Sequence, residues 1–278
     1  MLIDTHCHLN FKAFQKDYRE ITDLLLKEKM KVIVVGTQLN TSERAVEIAA
    51  EFPDGVYAAV GLHPIHLMDN LVTEEEDTFH AKNENFDKNN YRRLILNSKK
   101  VVGIGEIGLD NYWLKNLTPS EQLEQKEKQK KVFMEQLDLA EELNLPVIIH
   151  CRDAHAEMLE ILEDKFTARK DKLNGVIHCF SGNLKQSEKY IGLGFMLGFN
   201  GVVTYSPSYD KVISNAPRKK ILLETDAPYL TPLPLPKSER NIPQNVKYVA
   251  EKIAKVLGVS TEDVGEFTAS NAMRLFKV

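Results

Sequence analysis

The segment Leu2-Ile3-Asp4-Thr5-His6-Cys7-His8 opens the chain with an apolar run that leads into two histidines. Residues two apart on a β-strand project from the same face, so this spacing predicts that His6 and His8 point to one side. Comparable apolar runs lead to four more polar residues: Glu106, His150, His178 and Asp226. Polar side chains that recur at predicted strand ends indicate a shared site, and these residue types are those that bind metal ions.

Short β-rich runs alternate with amphipathic or charged stretches along the whole chain. Eight strands are predicted, at residues 2–5, 31–36, 56–60, 101–106, 146–150, 175–178, 195–199 and 221–224. Helices are predicted between them, at 18–29, 42–51, 120–143, 154–165, 184–193 and 210–216, with one or two more after Val246. The clearest helix start is Thr118-Pro119-Ser120-Glu121, which combines a capping hydroxyl, a proline at the first helical position and a glutamate three residues after the cap.

Eight strand–helix units in 278 residues indicate the α/β class and a closed (β/α)8 TIM barrel, formed as a single domain over residues 1–278. Such barrels carry their chemistry at the carboxyl ends of the strands, where the candidate ligands are predicted to lie. An open doubly wound sheet is the alternative, but Gly103-Ile104-Gly105 lacks the later glycine of a phosphate-binding loop. Residues at about 67–100 form a solvated excursion, predicted to be partly helical near its end.

Composition favours an ordinary globular protein, with 43% hydrophobic and 27% charged residues. The net charge of −4 argues against a broad basic surface, and no apolar run approaches the ~20 residues of a membrane span. Because the predicted site begins at residue 4, removal of a signal peptide would destroy it, so the cytoplasm is the expected location.

Each of the three cysteines is adjacent in sequence to a candidate ligand histidine: Cys7, Cys151 and Cys179. Strand alternation predicts that they face away from the site as small buried thiols rather than as metal ligands. Their odd number provides no disulfide framework and is typical of a reducing compartment.

Six motifs, in order along the chain, together resemble the TatD family of metal-dependent deoxyribonucleases, within the amidohydrolase superfamily. They are Asp4-Thr5-His6-Cys7-His8, Gly61-Leu62-His63-Pro64, Gly105-Glu106-Ile107-Gly108-Leu109-Asp110, Pro146-Val147-Ile148-Ile149-His150, His178-Cys179-Phe180-Ser181-Gly182 and Glu224-Thr225-Asp226-Ala227-Pro228-Tyr229-Leu230. The resemblance implies a (β/α)8 barrel, a divalent metal centre and hydrolysis of phosphodiester bonds, usually in DNA. The family often carries Arg-Asn-Glu-Pro after strand eight, whereas Arg240-Asn241-Ile242-Pro243 has an apolar third residue.

Imidazole and carboxylate ligands suit zinc, manganese or magnesium in a site that keeps a position open for water. Six ligands exceed the needs of one four-coordinate ion but fit two divalent ions that share a carboxylate, and Glu106 is the expected bridge. By analogy with the family, His6, His8 and Asp226 complete one metal site and His150 and His178 the other. Four metal charges less two carboxylate charges leave a positive site, which favours an anionic substrate.

In the expected mechanism a metal-activated water attacks phosphorus, and Asp226 accepts its proton. Asp226 and Glu106 are the expected catalytic residues. His63 and Arg152 are candidates for contacts with phosphate oxygens, although Arg152 could instead pair with Asp153 or Glu157. Asp110 is expected either to orient a ligand histidine or to cap a turn.

The remaining candidates lie outside the predicted metal centre. His66, His80 and His155 are interpreted as surface or structural residues. The loop Lys237-Ser238-Glu239-Arg240 is expected either to hold a nucleic-acid backbone or to be a solvated stretch of mixed charge.

Three functions are compatible with these patterns. The first is a divalent-metal-dependent hydrolase of phosphodiester bonds, a TatD-type deoxyribonuclease whose partner is DNA or another phosphodiester and which needs no membrane or obligate protein partner. The second is a metallohydrolase of a carbon ester or amide, such as an aminoacyl-tRNA deacylase, because one barrel hosts many substrates. The third is a non-catalytic binding protein that uses metal for stability.

Overall fold

Strands and helices alternate along the chain in the computed structural model, which describes residues 1–74, 77–167 and 174–278; the side chains of residues 70–80, 82 and 166–167 lie outside this description. The strands are β1 (Ile3–Cys7), β2 (Lys31–Val35), β3 (Val56–Val60), β4 (Asp69–Glu74), β5 (Asp77–Lys82), β6 (Val101–Asp110), β7 (Val147–Arg152), β8 (Gly175–Ile177), β9 (Met196–Phe199) and β10 (Ile221–Leu223). The helices are α1 (Tyr18–Lys27), α2 (Leu39–Glu51), α3 (Lys88–Leu96), α4 (Pro119–Leu143), α5 (His155–Thr167), α6 (Leu184–Gly192), α7 (Asp210–Asn215), α8 (Val246–Leu257) and α9 (Thr261–Phe276).

Eight of the strands form one parallel sheet in the order β1-β2-β3-β6-β7-β8-β9-β10. The first and last strands meet just beyond β10, where Asp226 N donates to His6 O at 2.9 Å and His8 N donates to Ala227 O at 2.7 Å. These bonds close the sheet into a barrel. The predicted (β/α)8 fold is therefore confirmed, and the doubly wound alternative is wrong.

The barrel interior is filled by one apolar cluster to which every barrel strand contributes. Its buried members are Ile3, Ile33, Val35, Ala59, Val102, Ile148, Val176, Met196 and Leu222 from the strands and Ala269, Ala272, Leu275 and Phe276 from α9. On β1, β6 and β7 these residues precede the candidate ligands, so α9 covers the amino end of the barrel and the polar site lies at the carboxyl end.

β6 is longer than predicted and carries an extra residue. It runs to Asp110 rather than ending at Glu106. Between Ile104 and Ile107 it advances three residues while β7 advances two, from Val147 to Ile149. This bulge shifts the alternation of β6 beside its neighbour, and bulges of this kind commonly re-aim a side chain next to a functional site.

The excursion differs from the prediction in one element. The predicted helix near its end is present as α3, but β4 and β5 also pair there as an antiparallel hairpin, with Asp69 opposite Lys82. The acidic run at 74–77 has the composition of a loop, which is why a hairpin was not expected; Glu75 and Glu76 themselves lie outside the described residues. That residues 1–278 form one domain stays a prediction.

Two glutamines of α4 fix the chain where it leaves β3 and β6. The Gln136 amide accepts from Leu62 N at 2.7 Å and donates to Leu62 O at 3.0 Å, and Gln129 does the same with the backbone of Asp110 at 2.8 and 3.0 Å. Each side chain replaces the strand partner that these peptide groups lack, which avoids the cost of unpaired buried groups. The residues that follow, including His63, are thereby held at fixed positions.

The predicted start of α4 is also confirmed, because Thr118 and Glu121 form a capping box with Pro119 at the first helical position. Among the described residues, no helix combines the length and hydropathy that a membrane crossing requires.

Candidate metal centre

All six predicted ligands lie together at the carboxyl end of the barrel. Five of them line an open cavity of about 700 Å³: His8, Glu106, His150, His178 and Asp226. His6 lies beneath, fully buried, with its ring stacked on that of His178 at a centroid distance of 3.6 Å. Polar donors so concentrated in a buried place need partners, and metal ions are one way to satisfy them.

One set of donor atoms surrounds His6. Its Nε2 lies 3.2 Å from His8 Nε2, 3.3 Å from Glu106 Oε2 and 3.6 Å from Asp226 Oδ1. His8 Nε2 lies 3.3 Å from the same Asp226 oxygen and 3.9 Å from the Glu106 oxygen. Tetrahedral donors about 2.1 Å from a divalent ion are about 3.4 Å apart, so this spacing fits a metal ion.

A second set of donors faces the other oxygen of the same carboxylate. Glu106 Oε1 lies 2.8 Å from His150 Nδ1 and 3.7 Å from His178 Nε2. The two oxygens of Glu106 are thus divided between two groups of imidazoles, which is the arrangement of a bridging ligand. His178 Nε2 lies between the groups, because it is also 3.7 Å from Asp226 Oδ1.

The far nitrogens of three of these imidazoles also have partners, as metal-binding histidines usually do. His8 Nδ1 donates to Val35 O at 2.9 Å, which leaves its Nε2 free to bind a metal. His150 Nε2 lies 3.1 Å from Asp110 Oδ2, and His178 Nδ1 lies 3.0 Å from Glu224 Oε1. The donor set and its surroundings therefore fit a pair of divalent ions.

The carboxylates and imidazoles also shift each other's protonation. Burial alone would lower the pKa of a histidine, but hydrogen bonds to Asp110 and Glu106 raise the pKa of His150 to about 10. Against the same effect of burial, the Glu224, Asp226 and Glu106 carboxylates raise the pKa of His178 to about 9. Without metal these two rings hold protons at neutral pH, and a metal ion that bound to them would displace those protons.

The pKa values of the two carboxylates of the site, Glu106 and Asp226, shift in the opposite direction. Burial would raise the pKa of Glu106, but the nearby imidazoles hold it well below its ordinary value. The pKa of Asp226 is likewise lowered, chiefly by His178 and His8, against the effect of burial. Both side chains are therefore anionic at neutral pH and available as ligands.

Asp110 makes the contacts that both of the roles left open by the sequence require. Its Oδ2 contacts His150, and its Oδ1 accepts from Tyr112 N at 2.9 Å, which caps the turn after β6. The side chain is buried between the ring and the turn.

His63 and Arg152, the candidates for phosphate contacts, both line the cavity. His63 Nδ1 accepts from Ile65 N at 3.0 Å, so in the neutral ring Nε2 carries the proton, 3.4 Å from Glu106 Oε1. This tautomer makes His63 a hydrogen-bond donor at the cavity floor. Arg152 stacks its guanidinium 3.8 Å above the centre of the Tyr112 ring.

The two acids that the sequence offered as partners for Arg152 each form a salt bridge with a lysine. Asp153 pairs with Lys115 at 2.7 Å and Glu157 with Lys126 at 2.5 Å.

Sequence reasoning missed two buried carboxylates. Glu224 lies beside His178 and accepts from Cys179 N at 2.6 Å, and a Cβ at Gly198 would approach Glu224 Oε2 to 2.3 Å. Asp4 accepts from Thr225 N at 2.9 Å and from Thr225 Oγ1 at 2.6 Å, which ties β1 to the residue before Asp226. Strand alternation could have revealed Asp4, because it stands two residues before His6 on β1.

The prediction for the cysteines holds for Cys7, which is buried among the outer apolar residues. For Cys151 and Cys179 the predicted orientation away from the site is wrong, because both residues border the cavity. Cys179 has a φ of 44°, in the left-handed region, so the chain has left the strand and alternation no longer applies.

The histidines expected to be surface or structural are divided. His66 is buried at the cavity wall, with its Nε2 3.2 Å from Thr37 Oγ1, so a surface position is wrong for it. His155 Nδ1 lies 3.1 Å from the buried Tyr190 hydroxyl and its Nε2 lies 3.3 Å from Ser181 Oγ, which is a structural role. The side chain of His80 lies outside the described residues.

We expect Glu224→Gln to weaken metal binding by about 10- to 100-fold, the usual effect of losing the partner that orients a ligand histidine. Glutamine still offers an oxygen to Cys179 N but removes the charge that faces His178. Titration with Zn²⁺ or Mn²⁺ measures the affinity, and the exposed Glu188→Gln on α6 is the matched control. Equal affinity in the two variants would contradict the orienting role.

Comparisons with known proteins agree with this geometry. A family model described as TatD related DNase matches residues 3–277. The chain is 37% identical to an uncharacterized metal-dependent hydrolase, YabD, of Bacillus subtilis, with 100% of both chains covered. It is 31% identical to the 3'-5' ssDNA/RNA exonuclease TatD of Yersinia pseudotuberculosis, again over 100% of both. The crystal structure of YJJV, a TatD homolog from Escherichia coli, superposes with a TM-score of 0.83 at 29% identity, covering 100% of this chain and 98% of that one.

Proposed function

This chain belongs to the TatD family of metal-dependent hydrolases, and we propose that it hydrolyses phosphodiester bonds in DNA with two divalent ions, zinc, manganese or magnesium, as cofactors. The observation that carries the proposal is the division of the Glu106 oxygens between two groups of imidazoles in an open cavity. Two ions held there outweigh the charge of their two carboxylates, so the site favours a phosphate over a neutral ester or amide.

When bound, such ions would acidify a water molecule and neutralise charge on the phosphoryl oxygens. In this proposal Asp226 accepts the proton of the attacking water, which its position at the cavity and the lowered pKa that keeps it ionised both support. The Nε2–H of His63 and the guanidinium of Arg152 are the donors for phosphate oxygens, at the floor and the wall of the cavity.

To test the proposal, the purified protein is assayed with Zn²⁺, Mn²⁺ or Mg²⁺ on labelled single-stranded DNA, duplex DNA and RNA. An aminoacyl ester is assayed in parallel as a substrate for the alternative carbon-ester function. We expect cleavage of at least one nucleic acid that stops on chelation and resumes on metal addition. Hydrolysis of the aminoacyl ester alone would favour the carbon-ester function, and no hydrolysis of any substrate would favour the binding protein.

We also propose a cytoplasmic location. Cys7, Cys151 and Cys179 are all free thiols. Free thiols are typical of a reducing compartment.

A further inference from the structure

A second cavity of about 600 Å³ adjoins the metal centre. It shares Lys12 and Tyr229 with the first cavity, so the two lie side by side across those residues. Its walls come from three segments, within residues 12–17, 228–229 and 237–240. None of the predicted metal ligands lines it.

Arg240 joins the first and last of these segments. Its guanidinium donates to both oxygens of Asp17, at 2.5 and 3.2 Å, and to the carbonyl of Ala13, and it lies 4.5 Å above the centre of the Phe14 ring. The charge of Arg240 is therefore satisfied by Asp17. Arg240 therefore has a structural role, in place of the expected contact with a nucleic-acid backbone.

The remaining charges of this cavity are positive in balance. Three lysines line it, Lys12, Lys16 and Lys237, against the single carboxylate of Glu239. All three are exposed, and none of them forms an ion pair within the described residues. Lys237 lies 4.2 Å above the centre of the Tyr205 ring. This positive cavity stands out in a protein whose net charge is −4.

Aromatic rings mark the passage between the two cavities. Tyr229 borders both, and the Phe11 ring stacks on the ligand His8 at a centroid distance of 4.3 Å. The Phe11 and Tyr229 rings lie 6.5 Å apart at an angle of 70°. Aromatic rings beside a basic groove are the usual elements of a surface that binds single-stranded nucleic acid.

We propose that the second cavity, lined by Lys12, Lys16 and Lys237, binds backbone phosphates of the same nucleic-acid strand whose bond is cleaved at the metal centre. The inference rests on the proposed function and extends it, because it makes a single-stranded oligonucleotide a better substrate than a diester that fills only the first cavity. The three lysines act on binding and not on the reacting atoms.

The test compares two substrates in the holoenzyme, a single-stranded octanucleotide and bis(p-nitrophenyl) phosphate. The double variant Lys16→Gln, Lys237→Gln keeps Lys12, which also lines the first cavity, and is expected to lose about tenfold in kcat/KM on the octanucleotide at low salt, mostly through KM. Its activity on the small diester should be unchanged. A matched double variant of exposed lysines outside both cavities, Lys99→Gln, Lys185→Gln, should retain activity on both substrates.

Binding of a hydrolysis-resistant phosphorothioate octanucleotide, followed by fluorescence anisotropy at several salt concentrations, gives a readout that needs no turnover. Its salt slope should flatten by about 0.7 for each phosphate that the variant no longer neutralises. An unchanged slope, or an equal change in the control variant, would overturn the subsite. Failure of the proposed function is a different result, in which wild type cleaves neither substrate whatever the binding measurements show.

Discussion

Glu106→Gln is expected to bind clearly less divalent metal than wild type and to lose at least ~100-fold in turnover, because an amide cannot bridge two cations. Glutamine keeps one ligand oxygen but replaces the other with an NH2 group, which has no lone pair for a metal. Whichever way the amide turns, either the group around His6 or the group around His150 loses its donor. About one ion should therefore remain.

Metal analysis after equilibration with excess Zn²⁺ or Mn²⁺ measures this, alongside turnover on labelled DNA. Glu188→Gln makes the same chemical change on an exposed helix face and should keep the wild-type metal content. If Glu106→Gln holds as much metal as wild type, the carboxylate does not bridge, and the two-ion proposal loses its structural basis.

The barrel could be predicted from sequence because a parallel sheet buried on both faces leaves a strong local signal. Each strand is a short apolar run, and the intervening helices keep their own period. The site followed from one geometric rule, that the carboxyl ends of parallel strands share one edge. His150 and His178 were placed by that rule although 44 and 72 residues separate them from Glu106.

The features that escaped prediction depend on backbone departures from ideal strands. β6 continues past Glu106 to Asp110 and carries an extra residue beside it, and no local residue preference indicates such a bulge. The left-handed turn at Cys179 brings a thiol to the cavity that alternation had placed outside. The pairing of Arg240 was not predicted because its partner, Asp17, is 223 residues away in the sequence.

Glu224 was missed for a different reason. Its role depends on His178, whose ring position is known only once the barrel closes. A carboxylate that orients a ligand looks, in sequence, like any polar residue after a strand.

Asp226→Asn should lower turnover by about 10²- to 10⁴-fold, the usual contribution of a positioned proton acceptor. The residue has a φ of 61°, in the left-handed region, which asparagine and aspartate tolerate better than most other side chains. The backbone bond from residue 226 to His6 O and the pairing of Thr225 with Asp4 do not involve the replaced carboxylate. The variant should therefore keep its fold while it loses the acceptor.

Affinity for single-stranded DNA should change much less than turnover, since His63, Arg152 and the lysines of the second cavity remain. Turnover and anisotropy measured on the same preparations separate the two effects, and circular dichroism checks the fold. The exposed Glu262→Gln on α9 controls for the loss of one negative charge. Near-normal turnover in Asp226→Asn would exclude this carboxylate as the proton acceptor, and a loss of DNA binding equal to the loss of turnover would place it in substrate binding instead.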